Sequence, residues 1–134
     1  MFEYHLFEYH QGTGQLWRYL TLGLGAGSLF ASGGYSGSGE GKNNPAFQQV
    51  HNVGPIPQGL WRIASLTEGP TAHGPYVLHL APCEGTNTFG RDGFLIHGDS
   101  LAFPGTASQG CIIFPRHVRE SIWSSGDRSL RVIA

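Results

Sequence analysis

Two residues able to make and break acyl bonds stand fourteen positions apart in this chain. His97 closes the apolar run FLIH, and Cys111 opens the run CIIFP. A cysteine attacks a carbonyl as its thiolate, and a free thiol loses its proton only near pH ~8.5. A nucleophilic cysteine at neutral pH therefore needs a partner to take that proton, and an imidazole within hydrogen-bond reach suits the task. Two neighbouring strands joined by a loop of this length bring the two side chains together at one end of a sheet. Gly110 removes a side chain where a substrate carbonyl would approach, and the backbone N–H groups of Gly110 and Cys111 are candidates to hold an oxyanion. The same pair also fits a quieter assignment, a buried core cysteine and a strand histidine satisfied by a backbone group. Spacing alone leaves both open, because adjacency in space is not written in it.

The elements that would carry this pair are short and mostly extended. PYVLHLAP alternates, with Tyr76, Leu78 and Leu80 on one face and Val77 and His79 on the other. LWRIASL reads as a strand that alternates only loosely, GFLIHGDS as a short buried strand, and SLRVIA as a closing strand. QLWRYLTLGLGAG is one strand or two, and in the loop-rich SLFASGGYSGSGEGKNNP only SLFA suggests pairing. RHVRESIWSSGD is the one helix, with Val118, Ile122 and Trp123 at helical spacing and Gly126 suited to its C-terminal end. GPIPQG is a rigid turn around Pro55 and Pro57. The total is six to eight strands and one helix, which predicts a β-sandwich or barrel. The start FEYHLFEYH reads as a hairpin arm or a partly non-native beginning, and Trp17, Trp61 and Trp123 as core.

Composition bounds what the molecule can do. At 134 residues it is one domain, 1–134, large enough for a core of its own. Only 13% of its residues are charged, about half the usual ~25%, while Gly accounts for 21 and Pro for 8. Glycines spread along a chain mean many turns, which again favours β structure. With a net charge near −1 and Lys42 as its sole lysine, the chain lacks the basic cluster that a nucleic-acid partner requires. The apolar stretch LTLGLGAGSLFA is too short and glycine-rich to span a membrane. The start lacks the short basic region of a signal peptide. Cys83 and Cys111 are too few for a disulfide framework, and Cys83, in a loop after Pro82, reads as unreactive.

IHGD followed by SQGCI resembles the signature of YkuD-type L,D-transpeptidases, in which a His precedes a Ser/Thr-His-Gly-Cys element. Three longer blocks, GYSGSGEGKNNPAFQQVHNVGPIPQGLWRI, GRDGFLIHGDS and ASQGCIIFPRHVRESIWSSGD, resemble in that order the L,D-transpeptidase effectors that bacteria inject into rivals through type VI secretion. The likeness runs from about Gln11 to the end. It implies a mainly β, YkuD-like sandwich or barrel with one short helix near the C-terminus. It implies Cys111 as the acylated nucleophile, His97 as base, the Gly98 carbonyl as the group orienting His97, and Ser108 with Gly110 as the turn presenting the thiol. The implied substrate is the tetrapeptide stem of peptidoglycan, cut or exchanged between diaminopimelate and D-alanine, with no metal or cofactor. The implied partners are a cognate immunity protein and the secretion machinery. The protein would be made in the cytoplasm and act in the periplasm of target bacteria.

The sequence departs from that family at two places. Gln109 stands where most L,D-transpeptidases carry His, and Ile113 where Arg is common. Arg116 is then the candidate to grip a substrate carboxylate, its alternative being a solvated arginine at a helix start. Asp99 either holds the imidazole tautomer or stabilises a turn. Tyr35 and Ser36 either line the cleft or form a turn with a packed aromatic. Two other functions compete: a zinc peptidase built on His97, Asp99 and another His, and a wall-binding module without turnover, which the changes at Gln109 and Ile113 favour.

Overall fold

A computed structural model describes residues 5–20 and 27–134. All of the first FEYH repeat but His5, and most of LTLGLGAG, therefore lie outside the described residues. Nine strands form one sheet: β1 Leu6–His10, β2 Leu16–Tyr19, β3 Ser28–Ala31, β4 Tyr35–Ser36, β5 Gly59–Thr67, β6 Val77–Pro82, β7 Leu95–His97, β8 Ile112–Ile113 and β9 Ser129–Ile133. Their order across the sheet is β3-β2-β1-β9-β5-β6-β7-β8-β4. Pairing is antiparallel except between β1 and β9 and between β7 and β8. The mainly β expectation holds. The count is one above the expected range, and β4 and β8, two residues each, are too short to show a period. The sheet curls on itself. Tyr9 of β1 and Phe114, just past β8, belong to distant parts of the strand order, yet their rings meet edge to face with centroids 6.3 Å apart.

Alternation explains the core. Trp61 and Ile63 of β5 point inward at 1% exposure each, between exposed Leu60, Arg62 and Ala64. The pairing of β5 with β6 shifts register between Ile63 and Ser65. That bulge adds an unpaired residue and breaks the period, which is why the strand alternates loosely in sequence. Tyr76, Leu78 and Leu80 all enter the core, as their spacing predicts.

Leu6–His10 form the expected hairpin with β2, but that hairpin does not project as an arm. β1 is an interior strand, hydrogen-bonded to β2 on one side and β9 on the other, and Phe7 and Tyr9 are wholly buried. Buried Glu8 pairs across the ladder with Arg131 and also accepts from His10 and Tyr19. Burial does not alternate along this strand, since Leu6, Phe7, Glu8 and Tyr9 are all buried.

Helix α1, Arg116–Ser124, starts after Pro115 and buries Val118, Arg119 and Ile122. Gly126 follows it with φ +79°, the left-handed conformation that ends helices and that glycine adopts without a Cβ penalty. No helix among the described residues is long and apolar enough to cross a membrane.

Candidate active site

His97 is the last residue of β7 and Cys111 the residue just before β8. The two strands are parallel, with Ile96 opposite Ile112 and His97 opposite Ile113. One step back along the ladder, Cys111 falls beside Leu95. Side chains alternate across a strand, so Leu95, His97, Cys111 and Ile113 share one side, while Ile96 and Ile112 enter the core. His97 and Cys111 both line one cleft of about 470 Å³, together with His51, His73, Asp92 and Gln109.

The imidazole is held in one tautomer. His97 Nδ1 lies 2.8 Å from the Gly98 carbonyl oxygen. A carbonyl only accepts, so the neutral ring carries its hydrogen on Nδ1 and presents Nε2 as a lone pair. The imidazole of His73 lies against the same ring, with centroids 4.6 Å apart. Burial pushes the His97 pKa below its ordinary value. The Gly98 carbonyl opposes this, while His73 and the Arg119 guanidinium reinforce it. A neutral base at physiological pH is the result.

The thiol is partly exposed, and in the resting structure it donates to the Gly93 carbonyl at 3.7 Å. Burial raises the pKa of Cys111, against the pull of the Leu95 backbone N–H on the sulfur and of the Arg91 charge. Both shifts favour the uncharged forms, a neutral thiol and a neutral imidazole lining one cleft.

The turn before Cys111 is tied down by buried hydroxyls. Ser108 Oγ donates to the Cys111 carbonyl at 2.6 Å and accepts from the N–H groups of Gly37 and Gly110. Ser36 Oγ donates to the Gly110 carbonyl at 2.9 Å and accepts from the Ile56 N–H. Ser36 is wholly buried, so it supports the turn from behind and does not line the cleft. Tyr35 likewise works from behind. Its hydroxyl donates to Asp99 at 2.6 Å and accepts from the Ala107 N–H. Asp99 also accepts from the N–H groups of Ser100 and Gly105. Burial opposes its ionisation, but Tyr35 and these N–H groups hold its pKa below the ordinary value. Asp99 thus stabilises the loop leaving β7, while Gly98 orients the imidazole.

Two expectations about this turn change. Gly110 has φ +144°, and a Cβ built there would lie 2.5 Å from the Arg91 guanidinium and 3.1 Å from the Phe94 ring. Packing under the turn, rather than the approach of a substrate, is what demands glycine. The Gly110 N–H is committed to Ser108 Oγ, so of the two proposed oxyanion donors only the Cys111 N–H is left for that role.

Arg116 is not among the residues lining the cleft. It is exposed, pairs with Glu120 one helical turn on at 3.6 Å, and lies over the Tyr76 ring. A helix-start arginine with a carboxylate one turn away is drawn to its own helix surface. Gln109 does line the cleft, while Ile113, 3% exposed, is sheet interior. Cys83 lies in the turn after β6, its backbone N–H bonded to Leu60. Among the described residues no three His, Cys, Asp or Glu side chains form a group able to hold a metal ion.

Sequence reasoning missed three residues. His73 sits in the turn before β6, where no period marks it. Arg91 and Arg119 are 7% and 4% exposed. Arg119 donates to the carbonyls of Phe114, Tyr76 and Pro75, and Arg91 to four others. Their only signal was position: Arg91 within GRDG, and Arg119 one residue after Val118 on the apolar face of α1.

Comparison with known proteins fits this geometry. The model of a family described as the Tlde1 domain matches residues 31–133. No curated protein matches the chain in sequence. Among solved structures, Bd1075 of Bdellovibrio bacteriovorus superposes with a TM-score of 0.63 at 12% identity, over 96% of this chain and 47% of that one. An L,D-transpeptidase from Mycobacterium smegmatis gives 0.54 at 15%, over 98% and 59%. L,D-transpeptidase 1 of Mycobacterium tuberculosis gives 0.59 at 10%, over 98% and 62%. The chain thus spans about half to three-fifths of those proteins' lengths. At such identities the shared property is the fold, here that of the L,D-transpeptidases.

Proposed function

The chain belongs to the Tlde1 domain family, and on that premise we propose that it is an antibacterial effector enzyme acting on peptidoglycan stems through a Cys111 acyl-enzyme. One observation carries the reading: Cys111 and His97 share a cleft wall on adjacent parallel strands, with His97 Nδ1 committed to the Gly98 carbonyl and Nε2 left as base. In the first half-reaction Nε2 takes the Sγ proton as sulfur attacks the carbonyl carbon joining diaminopimelate to D-alanine. The oxyanion collapses, the C–N bond breaks, and the imidazolium returns the proton to the departing D-alanine amine. A thioester remains. Water, deprotonated by Nε2, hydrolyses it and restores the thiol, which is L,D-carboxypeptidase cleavage. A D-amino acid amine in place of water gives exchange.

The fold relationship to L,D-transpeptidases supports the substrate class, and the family resemblance supports delivery by type VI secretion and a cognate immunity protein. Incubation with purified tetrapeptide muropeptides should release D-alanine, seen as a mass loss on the stem. Cys111→Ala should lower turnover by at least about 10³-fold, as loss of a covalent nucleophile does, with an unchanged melting temperature. Full cleavage by Cys111→Ala would overturn the mechanism. Directed to the periplasm of a Gram-negative cell, the wild-type chain should cause swelling or lysis and the alanine variant should not. Killing from the cytoplasm that persists in the variant would refute the compartment and the target together.

A further inference from the structure

We propose that Arg91 is a positioning residue for the nucleophile, locking the Ser108–Cys111 turn to the opposite cleft wall and lending its charge to the cysteine thiolate. This rests on the reading of Cys111 as nucleophile. Arg91 is almost fully buried, and its guanidinium makes no contact with a carboxylate among the described residues. Its four hydrogen bonds all go to backbone. Nη1 reaches the Gln48 carbonyl and, at 2.8 Å, the Pro55 carbonyl; Nη2 reaches Gly54 at 2.8 Å and Gln109 at 3.2 Å. Three of these carbonyls belong to the 48–55 segment, which carries the cleft residues His51 and Asn52, and the fourth is two residues before Cys111. One planar fork thus spans the two walls that must face each other across a substrate. The guanidinium also lies over the Phe94 ring at 5.2 Å, and it fills the space a Cβ on Gly110 would take.

An unpaired buried cation is costly unless hydrogen bonds replace its water. A neutral side chain would avoid that cost but could not donate to all four carbonyls. The Arg91 charge favours the anionic form of Cys111 against the burial that disfavours it. A guanidinium does both jobs because it has five donors in a fixed plane and stays protonated. An ammonium supplies the charge but cannot reach four carbonyls in one plane.

The test compares Arg91→Lys and Arg91→Met with the wild type. Alkylation by iodoacetamide is followed against pH, with Cys111 and Cys83 adducts resolved by mass, and stem cleavage is measured alongside. Arg91→Met should shift the alkylation midpoint of Cys111 upward by roughly one pH unit, the lower end for loss of a neighbouring charge, with Cys83 unmoved. It should lower kcat by about 10²-fold, the scale of a small misplacement of reacting groups. Arg91→Lys should bring the alkylation midpoint back near the wild type while kcat stays depressed. Where Arg91→Met does not fold, Arg91→Lys decides: wild-type kcat in a folded lysine variant overturns the positioning role. Midpoint and kcat both unchanged in folded Arg91→Met overturn the proposal outright, leaving Arg91 structural. The alkylation profile needs no substrate. A wild type that alkylates as expected but never cleaves stems would sink the proposed function and not this inference.

Discussion

At the scale of single residues, the proposed mechanism has both partners neutral until substrate binds. The depressed pKa of His97 has a definite sign. Its ordinary value is 6.5, and burial, with His73 and Arg119, moves the folded value below that. The base is active when unprotonated, so kcat/KM should hold on acidification through pH 6.5 and fall only below it. The raised pKa of Cys111 removes any competing alkaline limb near neutrality. A pH profile of stem cleavage checks this, and an acid limb centred above 6.5 would contradict it. The same shift acts on stability. The unfolded chain binds a proton at His97 that the folded chain refuses, so stability is lost as pH falls from about 6.5 toward the folded value. His97→Gln should flatten that part of the stability curve.

At the scale of elements, buried arginines do what ladders and caps do elsewhere. Arg119 on α1 donates to the Phe114 carbonyl after β8 and to the Pro75 and Tyr76 carbonyls before β6. It thereby holds the helix, the end of the nucleophile strand and the turn bearing His73 in one arrangement. Arg119→Met leaves those carbonyls without a donor. Each buried unsatisfied group costs about 1 kcal/mol or more, so the variant should lose on the order of 3 kcal/mol in urea unfolding. The His73 turn should loosen with it, so turnover should fall further than the folded fraction does. A loss below ~1 kcal/mol would mean that water replaces the guanidinium at all three carbonyls.

At the scale of the whole molecule, the family match begins at residue 31, yet the sheet does not. β1 and β2 lie before that point, and β1 fills the place between β2 and β9. Without it, β9 becomes a bare edge and the core loses Phe7 and Tyr9, both fully buried. Burial of one large apolar side chain is worth roughly 1.5–3 kcal/mol, which two such losses and a lost ladder turn into most of a domain's ~5–15 kcal/mol. Removing residues 1–10 should therefore abolish cooperative thermal unfolding. A deleted chain that still melts cooperatively near the wild-type temperature would return these residues to the status of an arm.

Much of this protein was legible in its residues. Alternation in PYVLHLAP marks a strand because a half-buried strand has period 2, and SLRVIA reads as a closing strand. The helix from Arg116 shows through Val118 and Ile122, with Gly126 just past its end. His97 and Cys111 show as a candidate pair at the ends of two apolar runs, but that they line one cleft needed the folded chain. Other features needed the folded chain. β4 and β8 are too short for any period to show. The interior place of β1 depends on a partner more than 120 residues away, since Phe7 lies opposite Leu130. The parts of Ser36, Tyr35, Arg91 and Arg119 depend on carbonyls and N–H groups drawn from distant loops. Local patterns record which face a side chain needs to bury. Which backbone groups then stand without partners, and so which buried polar side chains must serve them, is decided only once the sheet has curled and the loops have met.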